Sequence, residues 1–361
     1  MLATMLAATP LLKAERLTLR FGGLTAVKDV SFPVHRGEII SIIGPNGAGK
    51  TSLFNAISGV YQPTEGRVLL EGREPIRAWN RRLISQIVGT GIATGVIFLV
   101  LIQLQSLWQW AIISNYVFQQ PFPWFKALRD ALEFFTAQGL GALLWPVLAA
   151  GSVGAAGAYS VVARARRTAD VTARRGISRT FQNIRLFPDL SVLENVLVGM
   201  DSQLRTGMFS AAFRLPRYFN EEKIASAAAL KLLELVELAE VAHEEADSLP
   251  YGHRRRLEIA RALAARPKVL LLDEPAAGMN PSESKDLMQL IRKIRDTGVT
   301  IVLIEHHMPL VMEISDRIVV LNYGNKIAEG TPEEVRANPA VVEAYLGAPQ
   351  SSPQSAEKGT T

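Results

Sequence analysis

The sequence predicts an α/β fold: a mixed, mostly parallel sheet covered by helices on both faces, with a hydrophobic two-helix hairpin interrupting it. Three observations predict this. Short apolar strands alternate with segments of helical periodicity in both halves of the chain. One of those strands runs directly into a Gly-rich turn and then a helix. Between the halves lies a long block almost devoid of charge.

The 361 residues are enough to bury a substantial core, and 48% of them are hydrophobic, with a mean hydropathy of +0.15. The opening MLATMLAATP lacks a basic start and an adequate apolar stretch, so residues 1–11 read as a disordered extension and not a signal peptide. Glu38–Ile43 is a buried strand, and Ser52–Ser58 a helix with Leu53, Phe54 and Ile57 on one face. An antiparallel strand follows around Arg67–Leu70. In the second half, Leu230–Leu238 and Ser282–Asp296 read as amphipathic helices, and Val269–Leu272, Val299–Ile304 and Ile318–Leu321 as strands. Such alternation implies parallel strands packed on both sides. Residues 12–77 and 173–348 form the two parts of one domain, 78–172 an insertion, and the Ser-, Gln- and Pro-containing residues 349–361 a disordered tail.

The insertion has its own logic. No charged residue occurs from Leu83 to Phe125 or from Phe134 to Ala163, and each stretch can supply the roughly 20 apolar residues that span a bilayer. Trp108 and Trp110 stand where interfacial anchors belong. Gly139, Gly141, Gly151, Gly154 and Gly157 suit close helix packing in lipid. Arg73, Arg77, Arg81 and Arg82 precede the first stretch, and Arg164, Arg166, Arg167, Arg174 and Arg175 follow the second. By the positive-inside rule both ends face the cytoplasm, which makes the insertion a two-span hairpin. The alternative is a pair of buried helices in an enlarged soluble domain, with Pro146, Gln103, Gln105 and Gln109 in its favour.

Absence of cysteine excludes a disulfide framework and Cys-ligated zinc or iron–sulfur centres. The net charge of +5 is modest, and the arginines cluster beside apolar segments, which argues against a nucleic-acid binder.

Two motifs carry chemistry. Gly44-Pro-Asn-Gly-Ala-Gly-Lys-Thr51 fits G-x-x-x-x-G-K-[ST] between a strand and a helix. Its backbone N–H groups and the helix N-terminus suit phosphate oxygens, Lys50 would reach the β- and γ-phosphates, and the Thr51 hydroxyl would hold Mg²⁺. Val269-Leu-Leu-Leu-Asp-Glu-Pro275 ends a buried strand in two carboxylates. Asp273 would bind Mg²⁺ through water, and Glu274 would act as general base on an attacking water. The first motif alone says nucleotide binding; the second adds hydrolysis.

Around these motifs the chain resembles the ATP-binding subunits of ABC transporters, and is most similar to the LivG type of branched-chain amino acid importers. The similarity rests on RFGGLTAV, GISRTFQNIRLFPDLSVLENV, LPYGHRRRLEIARAL, LLLDEPAAGMNP and DRIVVLNYGNKIAEGTPEEVRANPAVVEAYLG, covering about 12–77 and 173–348. It implies an ABC nucleotide-binding domain of the P-loop NTPase fold with a helical subdomain. It implies that ATP is held by Phe21 (stacked on adenine), Val27, Gly44, Pro45, Asn46, Gly47, Ala48, Gly49, Lys50, Thr51 and Ser52. Tyr251, Gly252 and His253 would face the nucleotide of an opposing subunit. Gln182 would sense the γ-phosphate and Mg²⁺, joining Thr51 and Asp273 at the metal, and would touch the membrane partner. His306 would contact the γ-phosphate, completing a catalytic set of Glu274, His306, Gln182 and Lys50. The implied partners are a second ATPase subunit in a head-to-tail dimer, two permease subunits and an external substrate-binding protein, with the chain on the cytoplasmic face of the membrane.

The departures from the wider ABC pattern are Pro250, Tyr251 and His253 where Ser, Gly and Gln are general, Asn280 where Asp is frequent, and His307 where Asp is usual. His253 can still donate a hydrogen bond, with added pH dependence near neutrality. These changes leave room for a cassette that binds ATP with weak turnover in a regulatory or non-transport role.

Overall fold

The computed structural model describes residues 9–75, 81–118, 120–137, 140–164, 168–203 and 216–346. Most of the N-terminal extension, the tail, and the flanking Arg77, Arg166 and Arg167 lie outside the described residues. The chain divides into two units, one formed by residues 1–76 and 167–361, the other by 77–166.

The first unit opens with β1 (Leu12–Phe21) and β2 (Leu24–Val34), continues with β3 (Ile39–Ile43), α1 (Lys50–Ile57) and β4 (Glu65–Leu70), and leaves for the second unit. That second unit carries α2 (Arg81–Ala111), α3 (Trp124–Ala137) and α4 (Leu140–Arg164). The first unit resumes with α5 (Ala169–Arg174), β5 (Ile177–Arg179), α6 (Val192–Gly199), α7 (Pro216–Leu235), α8 (Tyr251–Ala264) and β6 (Val269–Asp273). It closes with α9 (Pro281–Asp296), β7 (Thr300–Ile304), α10 (Met308–Ile314), β8 (Arg317–Asn322), β9 (Asn325–Gly330), α11 (Pro332–Ala337) and α12 (Pro339–Leu346).

Two sheets result. A three-stranded antiparallel sheet has the order β2-β1-β4, and a six-stranded sheet the order β5-β6-β7-β3-β8-β9, parallel except for β9 at its edge. The continuous apolar runs of β3, β6 and β7 follow from burial on both faces. Val269 and Leu271 enter the core shared with the three-stranded sheet and α1, while Leu270 and Leu272 enter the core shared with the helices of the second half. Ile301 and Leu303 alternate with Val302 and Ile304 in the same way. Each such side chain contributes roughly 1.5–3 kcal/mol on burial, so these strands fix the sheet's register. Because neighbouring strands are parallel, the C-terminal ends of β3, β5, β6 and β7 open on one edge, where α/β sheets bind ligands.

Element bounds differ from the sequence reading where local backbone intervenes. α1 begins at Lys50, two residues early, because Gly49 with φ of 97° serves as its N-cap. α7 begins at Pro216 and ends at Leu235, short of the predicted Leu238, because Glu237 turns the chain at φ of 62°.

In the second unit, α2 and α4 pack against each other in opposite directions: Gly91 meets Gly151 and Ala155, Gly95 meets Val147, and Gly154 meets Thr94. A Cβ at Gly95 would lie 2.4 Å from the Val147 carbonyl oxygen, so the backbones approach as only small residues permit. Gly157, expected at such a contact, faces open space, and Gly139 lies outside the described residues. Leu83–Leu104 (22 residues, mean hydropathy 2.2) and Leu144–Ala163 (20 residues, 1.4) are long and apolar enough to cross a bilayer by length and composition. Their outer surfaces are bare, with Ile92, Ile97, Leu101, Leu148, Val153 and Val161 exposed. Within this unit, 11% and 0% of the two windows is buried. The Thr90 and Thr94 hydroxyls donate to the Gln86 and Thr90 carbonyls, which satisfies them inside the helix. Asn115 ties the end of α2 to α3, donating to the Ala111 carbonyl at 3.1 Å and to Asp130 Oδ2 at 2.6 Å.

Candidate active site

The turn from Gly44 to Thr51 joins β3 to α1 at the open edge of the six-stranded sheet. Its conformation depends on two glycines. A Cβ at Gly49 would lie 2.3 Å from the Ala26 carbonyl oxygen, and one at Gly44 would lie 2.2 Å from the Leu321 carbonyl oxygen. Ala48 N–H donates to the Pro45 carbonyl at 3.1 Å, and Leu53 N–H to the Gly49 carbonyl at 2.9 Å. The first helical N–H groups stay free to meet an anion. Lys50 folds back and donates from Nζ to the carbonyls of Gly44 at 2.8 Å and Pro45 at 3.1 Å. Burial pushes the Lys50 ammonium below its ordinary pKa, and the nearby charges of Glu274 and Asp273 oppose that shift. A cleft of about 420 Å³ is lined by Asn46, Gly47, Ala48, Gly49, Lys50, Thr51 and Ser52, together with Thr25, Glu274 and Tyr323.

Glu274 gathers the catalytic candidates. Its side chain follows the end of β6, and its backbone takes φ of 47°, an unusual conformation for a non-glycine residue, with its N–H donating to the Ile304 carbonyl. Gln182 Nε2 donates to Glu274 Oε2 at 3.1 Å, and His306 Nδ1 lies 3.9 Å from the same oxygen. Asp273 is buried at 3% exposure, and its Oδ2 accepts from Arg179 Nη2 at 2.7 Å. Thus Lys50, Thr51, Gln182, Asp273, Glu274 and His306, from four strand ends, converge on one edge.

The donor chemistry also fits the expected metal. Thr51 offers a hydroxyl and Asp273 a carboxylate, both hard oxygen donors suited to Mg²⁺. Among the described residues no cluster of three or more His, Asp or Glu side chains forms a protein-only cage. The arrangement therefore suits a cation that completes its shell with phosphate oxygens and water.

Several residues that frame the site carry little local sequence signal. Arg255 and Glu258 lie on the buried side of α8 as an ion pair at 2.7 Å with side chains 0% and 2% exposed. Arg255 donates to the carbonyls of Phe181 at 2.8 Å and Gln182 at 2.9 Å, and Glu258 Oε1 accepts the Phe181 N–H at 3.1 Å. The backbone beside Gln182 is thereby clamped to α8. The available signal was two charges at i and i+3 on a face otherwise made of Leu257, Ile259, Ala260 and Leu263.

Glu305 is the other such residue. Its carboxylate, 1% exposed, accepts from the Ala276 N–H at 2.8 Å and the His306 N–H at 3.2 Å, joining the segment after Glu274 to the one bearing His306. Burial raises its pKa above the ordinary 4.5, against those hydrogen bonds. Folding therefore takes up a proton there, and this residue's contribution to stability falls as pH rises from 4.5 through the folded-state value. Glu305→Gln keeps an acceptor for Ala276 without the charge. Its melting temperature relative to wild type is expected to rise from acidic to neutral pH; a pH-independent difference in thermal unfolding would count against a buried, proton-linked carboxylate.

The remaining expected contacts lie elsewhere. Phe21 is 43% exposed at the end of β1, edge-on to Tyr61 at 5.2 Å, and does not line the cleft. Val27 is fully buried behind Gly49, so it supports the loop from the core side and presents no surface to a ligand. Pro45 lines a neighbouring depression with Asn322 and Ile327. Tyr251, Gly252 and His253 begin α8 outside the cleft, with Tyr251 and His253 exposed and the Tyr251 hydroxyl donating to the Ala277 carbonyl at 3.0 Å. They are not brought to the loop of their own chain.

Comparison with known proteins identifies the family. The ABC transporter family profile matches residues 27–96 and 150–277, and its gap at 97–149 falls inside the second unit. A profile described as the branched-chain amino acid ATP-binding cassette transporter matches residues 325–350. BraF of Pseudomonas aeruginosa and LivG of Escherichia coli, both high-affinity branched-chain amino acid transport ATP-binding proteins, are each 37% identical over 339 residues, covering 94% of this chain and 98% of theirs. The fold is shared with solved structures of ATP-binding cassettes. One is nucleotide-free and one is the ADP conformation of MJ1267, each with TM-score 0.58 and 24% identity, covering 94% of this chain and 99% of theirs. On similarity along nearly its whole length, the chain belongs to the ATP-binding subunits of ABC transporters, of the LivG and BraF type.

Proposed function

We propose that this chain powers an importer of branched-chain or related amino acids, hydrolysing ATP at the Lys50–Glu274 edge in a head-to-tail dimer with a second ATPase subunit. The observation that carries the hydrolytic reading is Glu274, which accepts from Gln182 and faces His306 beside the phosphate loop. In this reading the loop and Lys50 bind the β- and γ-phosphates, and Thr51, Asp273 and Gln182 hold Mg²⁺, which supplies charge neutralisation at the phosphates when bound. Glu274 accepts a proton from the attacking water, and His306 steadies the γ-phosphate. Tyr251, Gly252 and His253 at the start of α8, the first and last of them exposed, face the nucleotide of the opposing subunit, and Phe21, paired across the β1–β2 turn with Leu24 of the cleft, meets adenine. Two permease subunits contact the Gln182 segment, and an external binding protein delivers substrate. Supply of the chain with its permease to cells lacking their own LivG-type subunit is expected to restore uptake of labelled leucine, isoleucine or valine. Lys50→Ala abolishes it; uptake that survives Lys50→Ala would defeat the reading.

The second unit, in the same proposal, anchors the chain as a two-span hairpin on the cytoplasmic side of the membrane. The bare apolar surfaces of α2 and α4 and the basic flanks support this. α3 then lies at the opposite surface, its exposed Trp124, Phe125, Leu128 and Leu132 against lipid headgroups and its Lys126 and Arg129 toward water. The chain has no cysteine, so single thiols can be placed without background. In intact cells, Arg129→Cys is expected to react with an impermeant outer reagent and Arg81→Cys, just before the first span, to react only after permeabilisation. The protein should also stay in the membrane fraction in alkaline carbonate. Release by carbonate, or labelling of position 129 only after permeabilisation, contradicts the hairpin.

A further inference from the structure

We propose that Arg179 is a positioning residue for the metal-bound nucleotide: it fixes the Asp273 carboxylate and couples it to the segment that carries Gln182. The inference rests on the reading of Asp273 as the metal-side carboxylate. Arg179 ends β5, opposite Leu271 in the parallel register with β6, and the chain reaches Gln182 three residues later. The ion pair with Asp273 is enclosed, with side chains 9% and 4% exposed. Nη2 donates to Asp273 Oδ2 at 2.7 Å, while Nη1 donates to Asn55 Oδ1 and, at 3.4 Å, to Ser58 Oγ on α1 and its end. The guanidinium carbon lies 5.6 Å from the ring centroids of both Phe54 and Phe181. It is thus held by the helix behind the phosphate loop and by the segment approaching Gln182.

The physical consequence concerns the carboxylate's charge and orientation. The Arg179 guanidinium is the cation that faces this enclosed carboxylate. The planar fork of arginine satisfies one oxygen and anchors itself at the same time, which a lysine cannot reproduce. With Oδ2 engaged, the direction in which Oδ1 points is set by Arg179, as outer partners set the orientation of metal ligands elsewhere. Movement of the Gln182 segment would pull β5 and Arg179 with it, so metal affinity would follow the position of that segment. Neither the phosphate-loop motif nor the Asp-Glu strand end implies this link, because Arg179 and Asp273 are 94 positions apart.

The test uses the full chain in detergent, with Mn²⁺ binding followed by electron paramagnetic resonance in the presence of ATP. ATP binding in chelator is measured in parallel. Arg179→Met is expected to weaken Mn²⁺ binding by roughly 10- to 100-fold, with metal-free ATP binding unchanged. Arg179→Lys should recover part of the loss. Asn55→Ala, which removes the anchor without stranding a buried charge, should weaken metal binding in the same direction and guards against misfolding of the methionine variant. Wild-type Mn²⁺ affinity in folded Arg179→Lys and Asn55→Ala overturns the proposal, as does a parallel loss of metal-free ATP binding, which marks a merely structural pair. Asp273→Asn separates the two levels of argument. If it leaves Mn²⁺ affinity intact, the underlying assignment of Asp273 fails; if it lowers affinity while the Arg179 and Asn55 variants do not, only the role of Arg179 fails.

Discussion

Glu274→Gln is expected to slow ATP hydrolysis by the assembled transporter by about 10²- to 10⁴-fold, the contribution of a positioned general base, while ATP binding persists. The substitution keeps the shape of the side chain and an oxygen to accept from Gln182 Nε2, so the packing around the strand end should survive. The strained φ of 47° belongs to the backbone turn tied to the Ile304 carbonyl and is unchanged. What disappears is the ability to take a proton from water. Phosphate release and equilibrium ATP binding, measured on the same preparation, separate the two effects. The result also decides between the readings of the departures at His253 and His307. A regulatory cassette with little turnover would show wild type and variant equally slow, and the catalytic role of Glu274 would then be lost.

The sequence and the structure agree most closely where the physics is local. Continuous apolar runs at β3, β6 and β7 were readable because both faces of those strands are buried, and the Gly-rich turn because its residue types admit few alternatives. The two uncharged stretches, 83–125 and 134–163, likewise stand out by composition alone. Short or edge elements were less legible. β5 has three residues and owes its existence to the ladder it finds on β6, and β9 has a half-exposed pattern that resembles a loop. The glycines of α2 that receive α4, Gly91 and Gly95, lie in a run rich in larger apolar residues, and only the pairing reveals them. The site divides in the same way. Lys50, Thr51, Asp273 and Glu274 follow from motifs, whereas Arg179, Arg255, Glu258 and Glu305 act through partners far along the chain, and no spacing rule reaches them.

The Arg255–Glu258 pair should show the largest effect on stability. Arg255→Met leaves Glu258 as a buried charge without its cation and strips the Phe181 and Gln182 carbonyls of their donor, so destabilisation of about 3–5 kcal/mol is expected. Arg255→Met combined with Glu258→Leu should recover part of that loss, because no uncompensated charge remains. Recovery stays incomplete, because the Phe181 N–H and the Phe181 and Gln182 carbonyls have still lost their part-buried hydrogen bonds to α8. The order wild type, double variant, single variant in thermal unfolding of the full chain in detergent is therefore the prediction. A single variant as stable as the double would mean that Glu258 is not held as a buried ion. The functional consequence differs from the thermal one. In the double variant the backbone beside Gln182 has lost its attachment to α8, so hydrolysis should fall further than the residual instability accounts for, at a temperature where both proteins are folded. Such a split would mark the pair as the element that holds Gln182 against Glu274, whereas activity that tracks stability alone would reduce it to packing.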